Sequence, residues 1–243
     1  NNPLTSILGL TQQLKTSVDV DFNYLKTVAQ LIFTESFNLD FQLRNIFATA
    51  EIEAGETDLS ISNLDIISLI LNSIDSFKHQ ADEKKVEILF LYDWLEGSDK
   101  ELYFRTDPEK FRLIVNNILA NAIEFSNEDG EVQIKLWKDS DMLNISVEDS
   151  GIGMDPKDHD IIFDRFKQID EGSTKKHKGH GLGLSIVKAL TDLLNANIDV
   201  KSEKGKGSVF TVTLPELEGN TSTDVFSSDG NEFLFEEDSE EEY

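Results

Sequence analysis

The sequence predicts an α+β protein. An antiparallel helical hairpin over residues 1–56, closing as a four-helix bundle in a dimer, is followed by a two-layer α/β sandwich over 57–215 and an acidic tail over 216–243. Three observations predict this. Leu25, Ile32, Leu39 and Ile46 recur every seven residues, with Ala29, Ser36, Leu43 and Ala50 interleaved and Phe33, Phe37 and Phe41 on a second stripe. A helix that is apolar on two faces needs more than one partner, and a second copy of the hairpin supplies it; burial in a single monomeric core is the alternative. Past Gly55 the pattern changes to helices interleaved with alternating strands. Residues 216–243 hold eleven acids and no Lys or Arg, a composition expected to stay disordered.

The elements follow in order. Leu4, Ile7, Leu8, Thr11 and Leu14 share helical spacing, with Pro3 tolerated in the first turn. KTSVDVD turns the chain into a long helix from Tyr24 to about Ala54. A short strand is expected near Leu59 to Ile61, then a helix capped by Asp65 and carrying Ile66, Leu69, Ile70 and Ile74. VEILFLY and ELYFRT read as strands, and Asp107-Pro108 starts another helix, a cap followed by proline at the first helical position. EVQIKLW and LNISVED alternate as strands, a helix runs to about Leu194, and NIDVKSE and SVFTVTL close the sheet through Gly205-Lys206-Gly207.

Composition excludes several function classes. The net charge of −25, from 22 basic and 47 acidic residues, argues against a nucleic-acid backbone as partner. With no cysteine there is no disulfide framework and no thiolate metal site, which is compatible with a reducing compartment. Apolar runs such as Leu31–Phe33 and Ile67–Leu71 are too short to span a bilayer. A cytoplasmic location is expected. The chain starts at Asn1 without a signal peptide and reads as a piece of something longer, with any sensor or membrane portion upstream.

Three short segments carry the chemistry. NILANAIEF, residues 117–125, sets Asn117 and Asn121 one helical turn apart, so both amides point the same way and can share a cation or water cluster. In DSGIG, residues 149–153, Asp149 can accept a hydrogen bond from an exocyclic amine such as that of adenine. Gly151 and Gly153 let the backbone pass close to a flat ring. In GHGLGL, residues 179–184, Gly179, Gly181 and Gly183 with Leu182 run into an apolar helix whose bare amides favour phosphate. Alone, the glycine turn reads equally as a tight loop, and either asparagine as a capping amide. Together, with 28 residues from Asn121 to Asp149 and 30 from Gly151 to Gly181, they make a nucleotide pocket.

These segments resemble the N, G1 and G2 boxes of sensor histidine kinases, and IFDRF, residues 162–166, stands where the F box stands. The resemblance runs to about Pro215. It also covers the N-terminus, where NNPLTSILGLTQQL is similar to the helix after the phosphoacceptor histidine and Ala50–Glu56 to the end of the second dimerisation helix. It implies a histidine-kinase type of ATPase sandwich, ATP and Mg²⁺ as ligands, a homodimer, and a response-regulator receiver domain as partner. Asn121 would hold Mg²⁺ with Asn117 beside it, Asp149 would read adenine, and Gly151, Gly153, Gly179, Gly181, Leu182 and Gly183 would line the nucleotide. The basic loop with Lys175, Lys176 and Lys178 would close as a lid. By the same resemblance the phosphoacceptor histidine lies five positions before Pro3, upstream of Asn1, so His79, His159, His177 and His180 read as surface or loop residues. Asn2, four after that histidine, would orient the water that dephosphorylates the receiver; it reads equally as a helix N-cap.

One position departs from the family. Glu124 stands where a phosphate-touching Lys or Arg is usual, and a carboxylate a few ångströms from a triphosphate repels it by roughly 1–4 kcal/mol. Two readings follow: an ATP-dependent protein histidine kinase, with response-regulator phosphatase activity as a further expectation, or a degenerate kinase acting as a dimeric nucleotide-binding scaffold. A mitochondrial-type serine kinase shares the ATP fold, but NPLTSILG and EIEAGE count against it.

Overall fold

The computed structural model describes residues 3–16, 21–55, 58–93, 102–159, 161–164 and 181–218. Helix α1 (Pro3–Thr16) and helix α2 (Phe22–Ala54) form the N-terminal hairpin. Asp21 caps α2 by accepting from the Tyr24 amide, and Gly55, at φ +72°, ends it in the left-handed conformation that glycine adopts without strain. The expected strand at 59–61 is displaced. Strand β1 is Ser62–Asp65, paired antiparallel with β3 (Tyr103–Thr106), because Asp65 must be both the last strand residue and the N-cap of α3 (Ile66–Lys84). ELYFRT therefore joins a separate two-stranded sheet and not the main one.

The main sheet has five strands in the order β2-β4-β5-β7-β6, with β2 (Glu87–Asp93) parallel to β4 (Glu131–Asp139). The remaining neighbours, β5 (Met142–Asp149), β7 (Gly207–Pro215) and β6 (Asn197–Glu203), are antiparallel. Helices α3, α4 (Pro108–Phe125) and α5 (Gly183–Leu193) supply the second layer. Val132, Ile134 and Leu136 alternate inward from β4, as period two requires, and pack with Ile114, Ile118 and Leu119 of α4 and Val187 and Leu190 of α5. After Gly153 the described residues make two 3₁₀ turns, Pro156–Asp158 and Ile161–Phe163. Packing continues past Pro215: Leu217 is buried, its amide donates to the Arg105 carbonyl at 3.0 Å, and Glu216 pairs with Arg105 at 3.2 Å.

The hairpin and the sandwich share one core. Phe37 and Phe41 of α2 meet Phe77 of α3 edge-on, at centroid distances of 5.0 and 5.8 Å, and Ala48 is buried among the sandwich residues. The hairpin also leaves Leu4, Leu8, Phe22, Leu25, Phe33, Leu43, Ile46 and Phe47 exposed. Among the described residues no helix is long and apolar enough to cross a membrane.

Candidate functional site

Helix α4 starts where Asp107 accepts from the Lys110 amide, with Pro108 in the first turn, and this start sets the rotation that aims both asparagines the same way. Asn117 is 3% exposed. Its Nδ2 donates to the Leu113 carbonyl at 2.9 Å and to Oδ1 of Asn45 on α2 at 2.7 Å. Asn121, one turn on, is half-buried. The first residue of α5 lies on both amides: a methyl built on Gly183 would stand 2.8 Å from Oδ1 of Asn117 and 3.8 Å from Nδ2 of Asn121. A side chain at position 183 would press on the Asn117 amide, and the start of α5 closes on the asparagine pair.

Asp149 ends β5 at 4% exposure. Its Oδ1 accepts from the Gly151 amide at 2.9 Å, and the Ser208 amide also donates to its carboxylate. Burial pushes its pKa up to about 6, reinforced by Glu148 and opposed by the two backbone donors and by Lys84. DSGIG is clamped from two sides. On one, the Ile152 amide donates to the Phe125 carbonyl at 3.2 Å, and Nδ2 of Asn127 donates to the Ser150 carbonyl at 2.7 Å. On the other, the Gly205 amide donates to the Ile152 carbonyl at 2.6 Å, and the Met154 amide to Oγ of Ser202 at 2.8 Å. Gly153 adopts φ +59° with no room for a methyl beside the Glu203 carbonyl.

Gly181, at φ +67°, turns the chain into α5, and Leu182 takes the N-cap position without a side-chain cap bond. Leu182 thus offers no side-chain oxygen to the first-turn amides of α5, a helix start of the kind that suits phosphate. Asn117, Asn121, Asp149, Gly151, Gly153, Gly181, Leu182 and Gly183 all occur within the described residues, at α4, the DSGIG loop and the start of α5. Asn2, Lys175, Lys176 and Gly179 lie outside them, as do Lys178, His177 and His180.

Sequence reasoning missed three neighbours. Asn45 offered a signal, a lone amide next to an apolar stripe. Gly207, read only as hairpin turn, has φ +92° and would drive a methyl to 1.9 Å from the Asp149 carbonyl oxygen. Lys84, last residue of α3, reaches the end of α4. The hairpin is tied to α4 by Asn45 and by two ion pairs, Arg44–Glu109 and Lys110–Glu51, each at 3.3 Å. Asn45→Leu keeps the branched shape but removes the amide that meets the buried Asn117. It is expected to cost about 1–2 kcal/mol in urea unfolding, and an unchanged midpoint would refute that contribution.

The arrangement is an α/β sandwich in which α4 meets the start of α5 through its asparagines and the loop after the buried Asp149 through its last turn. Residues 106–218 match the family described as histidine kinase-, DNA gyrase B-, and HSP90-like ATPase. The chain carries an ATPase domain of this family. The circadian input-output histidine kinase CikA of Synechococcus elongatus is 29% identical over 219 residues, covering 88% of this chain and 28% of CikA. Full-length ShkA in complex with AMPPNP superposes with a TM-score of 0.63 at 26% identity, over 89% of this chain and 44% of that one. The histidine kinase ThkA in complex with response regulator protein TrrA aligns at a TM-score of 0.56 and 23% identity, over 89% of this chain and 58% of ThkA. This chain thus spans well under half the length of CikA and ShkA.

Proposed function

We propose that this chain is the core of a sensor histidine kinase in two-component signalling, which binds Mg-ATP and transfers the γ-phosphate to a histidine and then to an aspartate of a response-regulator receiver domain. The observation that carries the proposal is that α4 meets the start of α5 through Asn117 and Asn121 and, through its last turn, the loop that follows the buried Asp149. The residues fit the ligand. Asn121 offers a hard, neutral oxygen of the kind Mg²⁺ takes once waters and phosphate oxygens complete its octahedron, and bound Mg²⁺ supplies charge neutralisation at the phosphates. Asp149, ionised above about pH 6, accepts from the adenine amine in a nearly dry pocket, where that hydrogen bond discriminates between bases. The first amides of α5, with Gly181, Leu182 and Gly183, hold the phosphates, and Gly179, Lys175 and Lys176 of the preceding sequence are assigned to the same role.

The helical hairpin, residues 1–56, is the dimerisation unit of this reading, residues 57–215 the catalytic domain and 216–243 a tail. The exposed apolar residues of the hairpin suit a second copy, and the crystallised pair of ThkA with TrrA motivates a receiver domain as the other partner. Asn2 is assigned to receiver dephosphorylation. Isothermal titration of the folded chain with Mg-AMPPNP tests the core of the proposal. Saturable binding at or below millimolar concentration is expected, and no binding there would overturn it.

One observation favours the scaffold reading. Glu124 is a half-buried acid one turn from Asn121 on the pocket helix. Nucleotide binding without phosphotransfer, in a longer chain that contains a histidine five positions before Pro3, would decide for a dimeric scaffold.

A further inference from the structure

The last turn of α4 carries Ile123, Glu124 and Phe125 and abuts the DSGIG loop, so the four carbonyls at this helix end need partners other than helical amides. The Ala122 carbonyl accepts from the amide and hydroxyl of Ser126. The Phe125 carbonyl accepts from Ile152. The other two are served by one side chain from another helix: Nζ of Lys84 donates to the Ile123 carbonyl at 2.9 Å and to the Glu124 carbonyl. A cation here also complements the negative end of the α4 dipole.

The same ammonium acts on two acids. Its electrostatic partners are Glu124 of α4 and Asp149 of β5, and burial lowers its pKa against their pull. Around Asp149 the contributing groups are the Gly151 and Ser208 amides, Glu148 of the same strand and Lys84 of α3, which is the cation of that set. Burial and Glu148 favour the protonated acid, and Lys84 favours the carboxylate.

We propose that Lys84 is a positioning residue of the nucleotide pocket: by donating to the Ile123 and Glu124 carbonyls it ties the end of α3 to the last turn of α4, the turn whose Phe125 carbonyl holds the DSGIG loop. The inference rests on the kinase reading above and concerns residues that reading does not use. Without Lys84 two α4 carbonyls lose their donor, and Asp149 loses its cation. The carboxylate would then protonate at higher pH, and the loop that presents it would lose one support.

The experiment compares the full chain with Lys84→Met, Lys84→Gln and Lys84→Arg, titrated with Mg-AMPPNP from pH 5.5 to 8.5. The ¹³C signal of the Asp149 carboxyl is followed in the nucleotide-free proteins. Lys84→Met is expected to bind more weakly, by about twofold at pH 7 and approaching tenfold near pH 5.5 for a shift of about one unit, with its affinity profile and the Asp149 titration both moved to higher pH. Lys84→Arg restores both. Lys84→Gln, which keeps a neutral donor, supplies the same comparison should the methionine variant not fold, and its profile is expected to move in the same direction. A purely structural lysine would lower the melting temperature and leave both pH profiles in place, and that result overturns the inference. Wild-type protein that binds no AMPPNP overturns the kinase reading. A binding wild type matched by Lys84→Met and Lys84→Gln in affinity and pH dependence overturns the Lys84 assignment alone.

Discussion

Asp149→Asn is expected to weaken Mg-AMPPNP binding at least ~100-fold while making the nucleotide-free protein more stable. The two effects have one cause. Asp149 is 4% exposed and its pKa rises from 3.8 to about 6, chiefly through burial, so at pH 7 the fold carries an ionised acid in a place that disfavours the charge. A raised carboxyl pKa means that the folded chain binds the proton more tightly than the unfolded chain. The resulting cost is absent below about pH 4, grows as pH rises through about 6, and is complete above it. A shift of about two units corresponds to about 3 kcal/mol, and a neutral amide that still accepts from Gly151 and Ser208 should recover about 1–3 kcal/mol of it at pH 7. Nucleotide binding moves the other way. With its oxygen held by the backbone donors, the asparagine presents an N–H to the donor amine of adenine, and two donors facing each other leave both unpaired. Urea unfolding at pH 5 and pH 7 checks the first effect: the variant's advantage should shrink at the lower pH. Wild-type nucleotide affinity in Asp149→Asn would refute the base-reading role.

Gly151→Ala carries the second large effect. A methyl at this position would sit 2.0 Å from the Phe125 carbonyl oxygen, 2.7 Å from its carbon and 2.7 Å from Oδ1 of Asp149. Two of these neighbours are backbone atoms at the end of α4, so no rotamer change relieves the overlap. Either DSGIG or the last turn of α4 must shift, and the Ile152–Phe125 hydrogen bond and the Ser126–Gly151 bridge break with it. An overlap of this kind costs upwards of ~3 kcal/mol, because close-packed interiors do not yield locally. The melting temperature should fall steeply and nucleotide binding should be lost even below the new transition. A variant with wild-type stability would show that the loop is more adaptable than its packing implies.

Much of this architecture was legible in the chain. The two-striped helix, the caps at Asp65 and Asp107, and the alternating strands are local signals, because propensity and capping act over a few residues. The three pocket segments were legible for the same reason: the asparagines share a face by helical spacing and the glycines mark turns. The strand placed at 59–61 moved to Ser62–Asp65 because pairing with Tyr103–Thr106 sets its register, and a pairing partner some forty residues away leaves no local trace.

Three side chains therefore separate what can be read from residue order from what packing adds. Asn117, Asn121 and Asp149 can be picked out by type and spacing as candidate nucleotide-binding groups. The contacts that hold them cannot. Asn45 reaches Asn117 across 72 positions and Lys84 reaches the end of α4 across 39, while Gly207 owes its necessity to the Asp149 carbonyl beneath it. Residue types and their short-range periodicity specify which chemical groups the chain can present. The pKa of Asp149, the seating of α5 on the asparagines and the reach of Lys84 to the end of α4 arise only when distant segments close-pack and exclude water, since desolvation and charge proximity are properties of neighbours in space.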